Sequence, residues 1–206
     1  MAEMVRTVRE LGGVLIVDEI YHGITYGVPA RSALHHSADV FVVNSFSKYY
    51  GMTGWRVGWL VAPLGFVEAI ERLAQNIFLA ASTPAQHAAL AAFRPEVLAE
   101  LGRRRDEFRV RRDYLLPALR ALGFHIPVTP EGAFYLYADS SRLAADSDDF
   151  AQRLLEEAGV AITPGRDFGL HAPKRHVRFS YANTPAQLQE GVRRIAAFLG
   201  RPAPGA

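Results

Sequence analysis

The chain has 206 residues, half of them hydrophobic and 21% charged, with no cysteine and a formal net charge of +2. A chain of this kind can bury a substantial core but cannot build a disulfide framework, and two excess charges do not argue for a nucleic-acid partner despite a pI near 9.0. No apolar run approaches the roughly 20 residues of a membrane span and the amino terminus lacks a signal-peptide pattern, so a cytoplasmic protein with no membrane partner is expected.

In chain order, Met1, Met4, Val5, Val8 and Leu11 recur at helical spacing, and Gly12-Gly13 end that helix. The apolar run Val14-Leu15-Ile16-Val17 then reads as a buried strand of the parallel kind, opening into Asp18-Glu19-Ile20-Tyr21. Ligands of open α/β sheets bind just outside the carboxyl ends of the strands, which makes Asp18 and Tyr21 candidates for a site. The simpler alternatives are that Asp18 caps the following turn and that Tyr21 packs at the strand end.

A second strand, residues 40–43, leads into Asn44-Ser45-Phe46-Ser47-Lys48, so a lysine also emerges near a strand end. Lys48 is one of two lysines in a chain with 21 arginines. Arginine stays protonated, whereas a desolvated lysine can lose its proton and condense with an aldehyde, so a lysine kept among arginines is a candidate for covalent chemistry. A solvated surface ammonium is the alternative.

A third strand is expected at 57–62 and a helix at 64–79. Thr83-Pro84-Ala85-Gln86 has the pattern of a capping box with proline at the first helical position, and Pro95 starts a long charged helix running toward Leu122. On that helix Arg103, Arg104, Arg105, Arg109, Arg111 and Arg112 alternate with Asp106, Glu107 and Asp113, the pattern of a solvated face. A domain boundary near Phe93 gives two segments, 1–93 and 94–206.

Beyond Gly123 short strands are expected at 124–126, 133–138 and 160–163, with a helix capped by Ser147 between the last two. In a further strand, alternation places His176, Arg178 and Ser180 on one face and Val177, Phe179 and Tyr181 on the other, directing Arg178 away from the apolar layer. Thr184-Pro185 begins a closing helix, and the tail from Gly200 is expected to fray. The seven histidines show no metal-ligand spacing, and His35-His36 reads as loop decoration. No internal repeat is present.

The segment from Ser45 to Gly58, with Ser45 three residues before Lys48 and Arg56 eight after it, resembles the lysine signature of class I/II pyridoxal-phosphate aminotransferases. DEIY (Asp18 to Tyr21) resembles that family's aspartate-x-x-tyrosine, EGAFYLYAD (Glu131 to Asp139) its small-domain strand, and HVRFSYAN (His176 to Asn183) its carboxylate-binding arginine segment. All run in family order.

The resemblance implies an α/β fold: the carboxy-terminal part of the large pyridoxal-phosphate-binding domain, with an incomplete, mostly parallel sheet, in 1–93, and an α+β small domain in 94–206. It implies pyridoxal 5′-phosphate as cofactor, with Lys48 as the residue that bonds it covalently. Asp18 would pair with the protonated pyridine nitrogen, because an anion there favours the charged ring, the better electron sink. Tyr21 would donate to the phenolic oxygen. Ser45 and Arg56 would hold the phosphate, Arg56 as a bidentate partner, with Ser47 beside them. Arg178 would grip the α-carboxylate of the amino acid.

Amino acids and 2-oxo acids are the implied small-molecule partners, in a homodimer. Lyases and decarboxylases of the same fold share Lys48, Asp18 and Arg56. Three strands are few for this fold, and the first helix follows no strand, so the expectation is a fragment whose phosphate cup, ring-stacking aromatic and substrate gate lie upstream. The other readings are the effector-sensing domain of a transcription regulator and an inactive remnant.

Overall fold

The computed structural model describes residues 1–204, which divide into two compact units, the first Met1–Arg105 and the second starting at Asp106. In the first unit α1 (Ala2–Glu10) precedes β1 (Ile16–Asp18), which pairs in parallel with β2 (Phe41–Ser45). β2 pairs antiparallel with β3 (Gly58–Val61), giving the order β1-β2-β3. The mostly parallel sheet expected is therefore corrected to one pairing of each sense. A parallel return needs a crossover element, and the connection 46–57, which carries the lysine, contains no such helix, so β3 comes back antiparallel.

The register puts Val17, Val42 and Val61 side by side on one face, where they pack with Ala33, Val40, Leu15 and Val5 of α1. The opposite face carries Ile16, Val43 and Leu60, which remain 66%, 40% and 44% exposed. Behind the lysine connection, Phe46, Met52 and Val57 form a second cluster with Ala85 and Ala89 of α3 (Thr83–Ala91). α2 (Leu64–Ile77) leaves Leu64, Leu73 and Ile77 open to solvent.

The capping box expected at Thr83 does not form. Ser82 is the N-cap, without a side-chain bond, and the Gln86 amide donates to the Ala81 carbonyl instead. The box forms at α6 (Pro185–Phe198), where the Thr184 hydroxyl accepts the Gln187 N–H and Gln187 reaches back.

α4 (Pro95–Ala121) spans the division between the units, which falls beyond the 93/94 boundary. Its arginine cluster is only partly a solvated face. Arg103 and Arg104 pair with Glu100 in the open, but the side chains of Arg111 and Arg112 are 16% and 11% exposed and donate to the carbonyls of Ala182 and Pro130. Neutral loop carbonyls left the chain pattern blind to these partners.

The second unit is built on a sheet in the order β4-β6-β5, formed by β4 (Tyr135–Asp139), β5 (Thr163–Pro164) and β6 (His176–Ser180), all antiparallel. The strand expected at 124–126 is reduced to a bridge between His125 and Asp139. α5 (Ser147–Ala158) is capped by Asp146 rather than Ser147, whose hydroxyl donates to the Pro173 carbonyl. Leu136, Val177, Phe179 and Tyr181 are buried, as are Phe150 and Leu154 of α5 and Leu188, Val192 and Ile195 of α6. The tail is held at Arg201, which bonds the Ala196 and Leu122 carbonyls. Fraying is thus corrected there, while residues 205–206 lie outside the described residues.

Asp139 locks the end of β4 to the turn before β6. Burial pushes its carboxyl up, but bonds from Ser141 and the Arg175 guanidinium at 2.7 Å outweigh that and hold it at about 2. An acid whose folded pKa lies below its unfolded value stabilises the fold above the unfolded pKa and loses that contribution as pH falls through the folded one. The stability advantage of the parent over Asp139→Asn is therefore expected to shrink by roughly 2 kcal/mol as pH drops from about 4 to 2. Urea titrations of both proteins across that range check it, and a pH-independent difference would count against it.

Candidate active site

The first unit gathers six of the seven residues singled out in the sequence. Asp18 ends β1 beside Val43 of β2, and the pairing continues one step further through the Glu19 N–H to the Val43 carbonyl at 2.8 Å. One Asp18 oxygen accepts the Ile20 N–H at 2.9 Å, so the turn-capping alternative is realised. A carboxylate that accepts one backbone bond retains further lone pairs for a ligand, so the two roles are compatible.

The adjacent Glu19 was missed. It is 4% exposed, and its two oxygens take the Ala33 N–H at 2.7 Å and the His22 ring at 3.3 Å. Glu19 thereby fixes the loop that carries Tyr21. A charged residue next to an apparent site residue reads as solvent-exposed in the sequence, and only its partners reveal the anchor.

The lysine connection is anchored at both ends by β2 and β3. Ser45 lies opposite Gly58, where an added Cβ would meet the Asn44 carbonyl at 2.7 Å, so this pairing requires glycine. Phe46 and Val57 close the loop by a backbone bond, and Met52 N–H returns to the Phe46 carbonyl. Inside it, the Ser45 hydroxyl lies 2.8 Å from the Ser47 hydroxyl, accepts the Ser47 N–H at 3.0 Å and approaches the Val57 carbonyl at 3.2 Å.

Lys48 follows immediately. Its amine has no hydrogen-bond or ion-pair partner among the described residues. Next to it, the Tyr49 ring lies against Gly23, at a positive φ of 93°, where an added Cβ would fall 2.5 Å from the ring. That contact joins the Asp18–Tyr21 loop to the lysine loop.

Arg56 adopts a left-handed conformation (φ 52°, ψ 51°), which costs a residue with a Cβ about 1 kcal/mol or more. Its guanidinium donates to the Thr53 carbonyl at 3.0 Å. Strain of this kind persists where the surrounding bonds over-determine the backbone, and it clusters at ligand sites.

Arg178 belongs to the second unit. On β6 it lies between Tyr137 of β4 and Thr163 of β5, with Val177 and Phe179 buried on the other face as the alternation predicts. Its guanidinium carbon stands 4.1 Å over the Tyr135 ring and 4.3 Å over the Phe168 ring. Two aromatic faces leave the edge of the fork, where all its N–H groups lie, as the direction for an anion. Phe168 was missed because its role comes from the loop 165–168 folding back over β6.

A primary amine without a partner, paired hydroxyls with a guanidinium on one loop, and a carboxylate at the neighbouring strand end define a lysine-centred site in an α/β fold. The donor set fits pyridoxal phosphate: an amine for its aldehyde, hydroxyls and a cation for its phosphate, an anion for its ring nitrogen. Residues 1–195 match the sequence model of the family described as aminotransferase class I and II, and the chain belongs to that family. Members of the family depend on pyridoxal phosphate.

The chain is 42% identical over 187 residues to a valine–pyruvate aminotransferase of Mycobacterium tuberculosis, covering 90% of this chain and 48% of that protein. It is 38% identical over 190 residues to a (5-formylfuran-3-yl)methyl phosphate transaminase of Methanocaldococcus jannaschii, covering 91% and 50%. A solved aminotransferase structure from Mycobacterium tuberculosis superposes with a TM-score of 0.92 at 40% identity, over 97% of this chain and 52% of that one. The chain thus spans about half the length of the curated relatives it matches.

Among the described residues no helix is long and apolar enough to cross a membrane, and no group of three or more His, Asp or Glu is placed to hold a metal ion.

Proposed function

We propose that this chain is the carboxy-terminal portion of an enzyme that moves an amino group between an L-amino acid and a 2-oxo acid, as a cytoplasmic homodimer. The observation that carries the reading is the unpartnered amine of Lys48, on one loop with Ser45, Ser47 and Arg56 and beside the strand that ends in Asp18.

Bound at this loop, pyridoxal phosphate supplies an aldehyde to take the amino group and a ring to store the electron pair released at the α-carbon. The residues do the rest. Arg56, Ser45 and Ser47 would hold the phosphate, and Lys48 would hold the aldehyde and carry the α-carbon's proton at Nζ. Asp18 keeps the ring nitrogen protonated, Tyr21 donates to the phenolic oxygen, and Arg178 orients the α-carboxylate. The presence of Lys48, Asp18 and Arg56 together supports a cofactor-holding site over an inactive remnant. The two relatives named above differ in substrate, so the likeness favours no amino donor.

The reading is tested by purifying the chain with pyridoxal phosphate and following absorbance, oligomeric state and amino-group transfer. The exposed Ile16, Val43 and Leu60 face is expected to drive self-association at high concentration, with weak cofactor binding and no turnover. The complete protein is expected to transfer amino groups. A soluble dimer of the 206-residue chain with sustained turnover would show that the portion is itself a whole enzyme.

Asp18 separates ring electronics from retention. Asp18→Ala is expected to slow α-proton abstraction in the complete protein far more than it weakens cofactor binding. Stopped-flow half-reactions with α-deuterated amino acid check this, and an unchanged proton-transfer rate removes Asp18 from the role.

A further inference from the structure

Thr53 bonds to both halves of the lysine loop. Its hydroxyl donates to the Ser47 carbonyl at 2.7 Å, the oxygen of the peptide bond that leads into Lys48. Its own carbonyl accepts from the Arg56 guanidinium at 3.0 Å. Thr53 opens the short 3₁₀ turn 53–55, and the residue that ends this turn is Arg56 in its left-handed conformation.

We infer that Thr53 is a positioning residue that sets the spacing between the Lys48 amine and the Arg56 guanidinium, and hence the fit of one ligand that carries both an aldehyde and a phosphate. The argument rests on the proposed role of this loop as the cofactor site. Without the hydroxyl, the Ser47 carbonyl loses this partner and the turn loses its tie to the lysine backbone. Arg56 then keeps its charge but not its fixed distance from Lys48. The contacts of Thr53 are to the backbone of Ser47 and the side chain of Arg56. Its effect passes through its neighbours.

The consequence can be read in the complete protein, with Lys174 as an internal reference for Lys48. Lys174 lies in the second unit, paired with Asp146 at 3.0 Å. The complete protein, freed of cofactor, is treated with pyridoxal phosphate or with pyridoxal, reduced with borohydride and mapped by mass spectrometry. The Lys48-to-Lys174 labelling ratio with the phosphorylated aldehyde, divided by the same ratio with pyridoxal, measures the preference that the phosphate confers at Lys48.

The parent is expected to show a preference of about tenfold or more, the scale of one charge-assisted hydrogen bond. Thr53→Val, which keeps the shape and removes the hydroxyl, is expected to lower it about fivefold, and Thr53→Ala likewise, whereas Thr53→Ser restores it. Arg56→Ala abolishes the preference, and adding Thr53→Val to it changes nothing more. Either hydroxyl-lacking variant that folds, judged by circular dichroism, serves. A parent-like preference in such a variant overturns the positioning role and leaves the proposed function standing. A parent protein with no preference overturns the proposed cofactor site, and the role of Thr53 falls with it. Loss of the preference in Thr53→Ser as well would show that the hydroxyl is not the operative group, and would also overturn the inference.

Discussion

Lys48→Ala is expected to abolish both the borohydride-reducible attachment of pyridoxal phosphate and amino-group transfer in the complete protein. The amine is the one group on the loop able to condense with an aldehyde, since the others are hydroxyls and a guanidinium that stays charged. The loop is anchored by backbone bonds from Phe46 to Val57 and from Met52 to Phe46, none of which involves the lysine side chain, so the substitution leaves the frame in place. Arginine at the same position would keep the charge without a nucleophile and is expected to be equally inactive. Peptide mapping of the reduced protein decides the assignment. Reduced cofactor on Lys174 rather than Lys48 would show that the wrong lysine has been chosen.

Arg178→Ala is expected to lower kcat/KM for amino acids by about two to four orders of magnitude, the cost of removing one partner from a buried carboxylate pair. Its guanidinium is held between the Tyr135 and Phe168 rings, so little orientational freedom remains to be lost when a carboxylate binds. Arg178→Lys is expected to recover little, since an ammonium offers neither a planar fork nor a stacking face. Simple amines that lack the carboxylate provide the control. They should react with parent and variant at similar rates, and an equal loss for both kinds of substrate would contradict the clamp.

Much of this site could be read along the chain because it is local. Ser45, Ser47, Lys48 and Arg56 lie within one connection, and Asp18 and Tyr21 within another, so their spacing is a property of the sequence. The alternation in β6 placed Arg178 for the same reason, as a strand has period two whatever it packs against. The helix begun by Thr184-Pro185 was legible too, because its cap is closed by a residue three positions on.

What the sequence could not determine depends on which of several partners a polar group takes. Two similar capping patterns behave differently, because Gln86 finds the Ala81 carbonyl while Gln187 returns to Thr184. The antiparallel return of β3, the burial of Arg111 and Arg112 against loop carbonyls, the anchoring of the Tyr21 loop by Glu19 and the rings around Arg178 were all set by tertiary contacts. A neutral carbonyl or the face of a ring leaves no periodic mark in a sequence, and a charge looks the same whether water or a buried amide satisfies it. Sequence alone thus determined the residue types proposed to carry the chemistry and their order. The tertiary structure decided which backbone groups hold them in place.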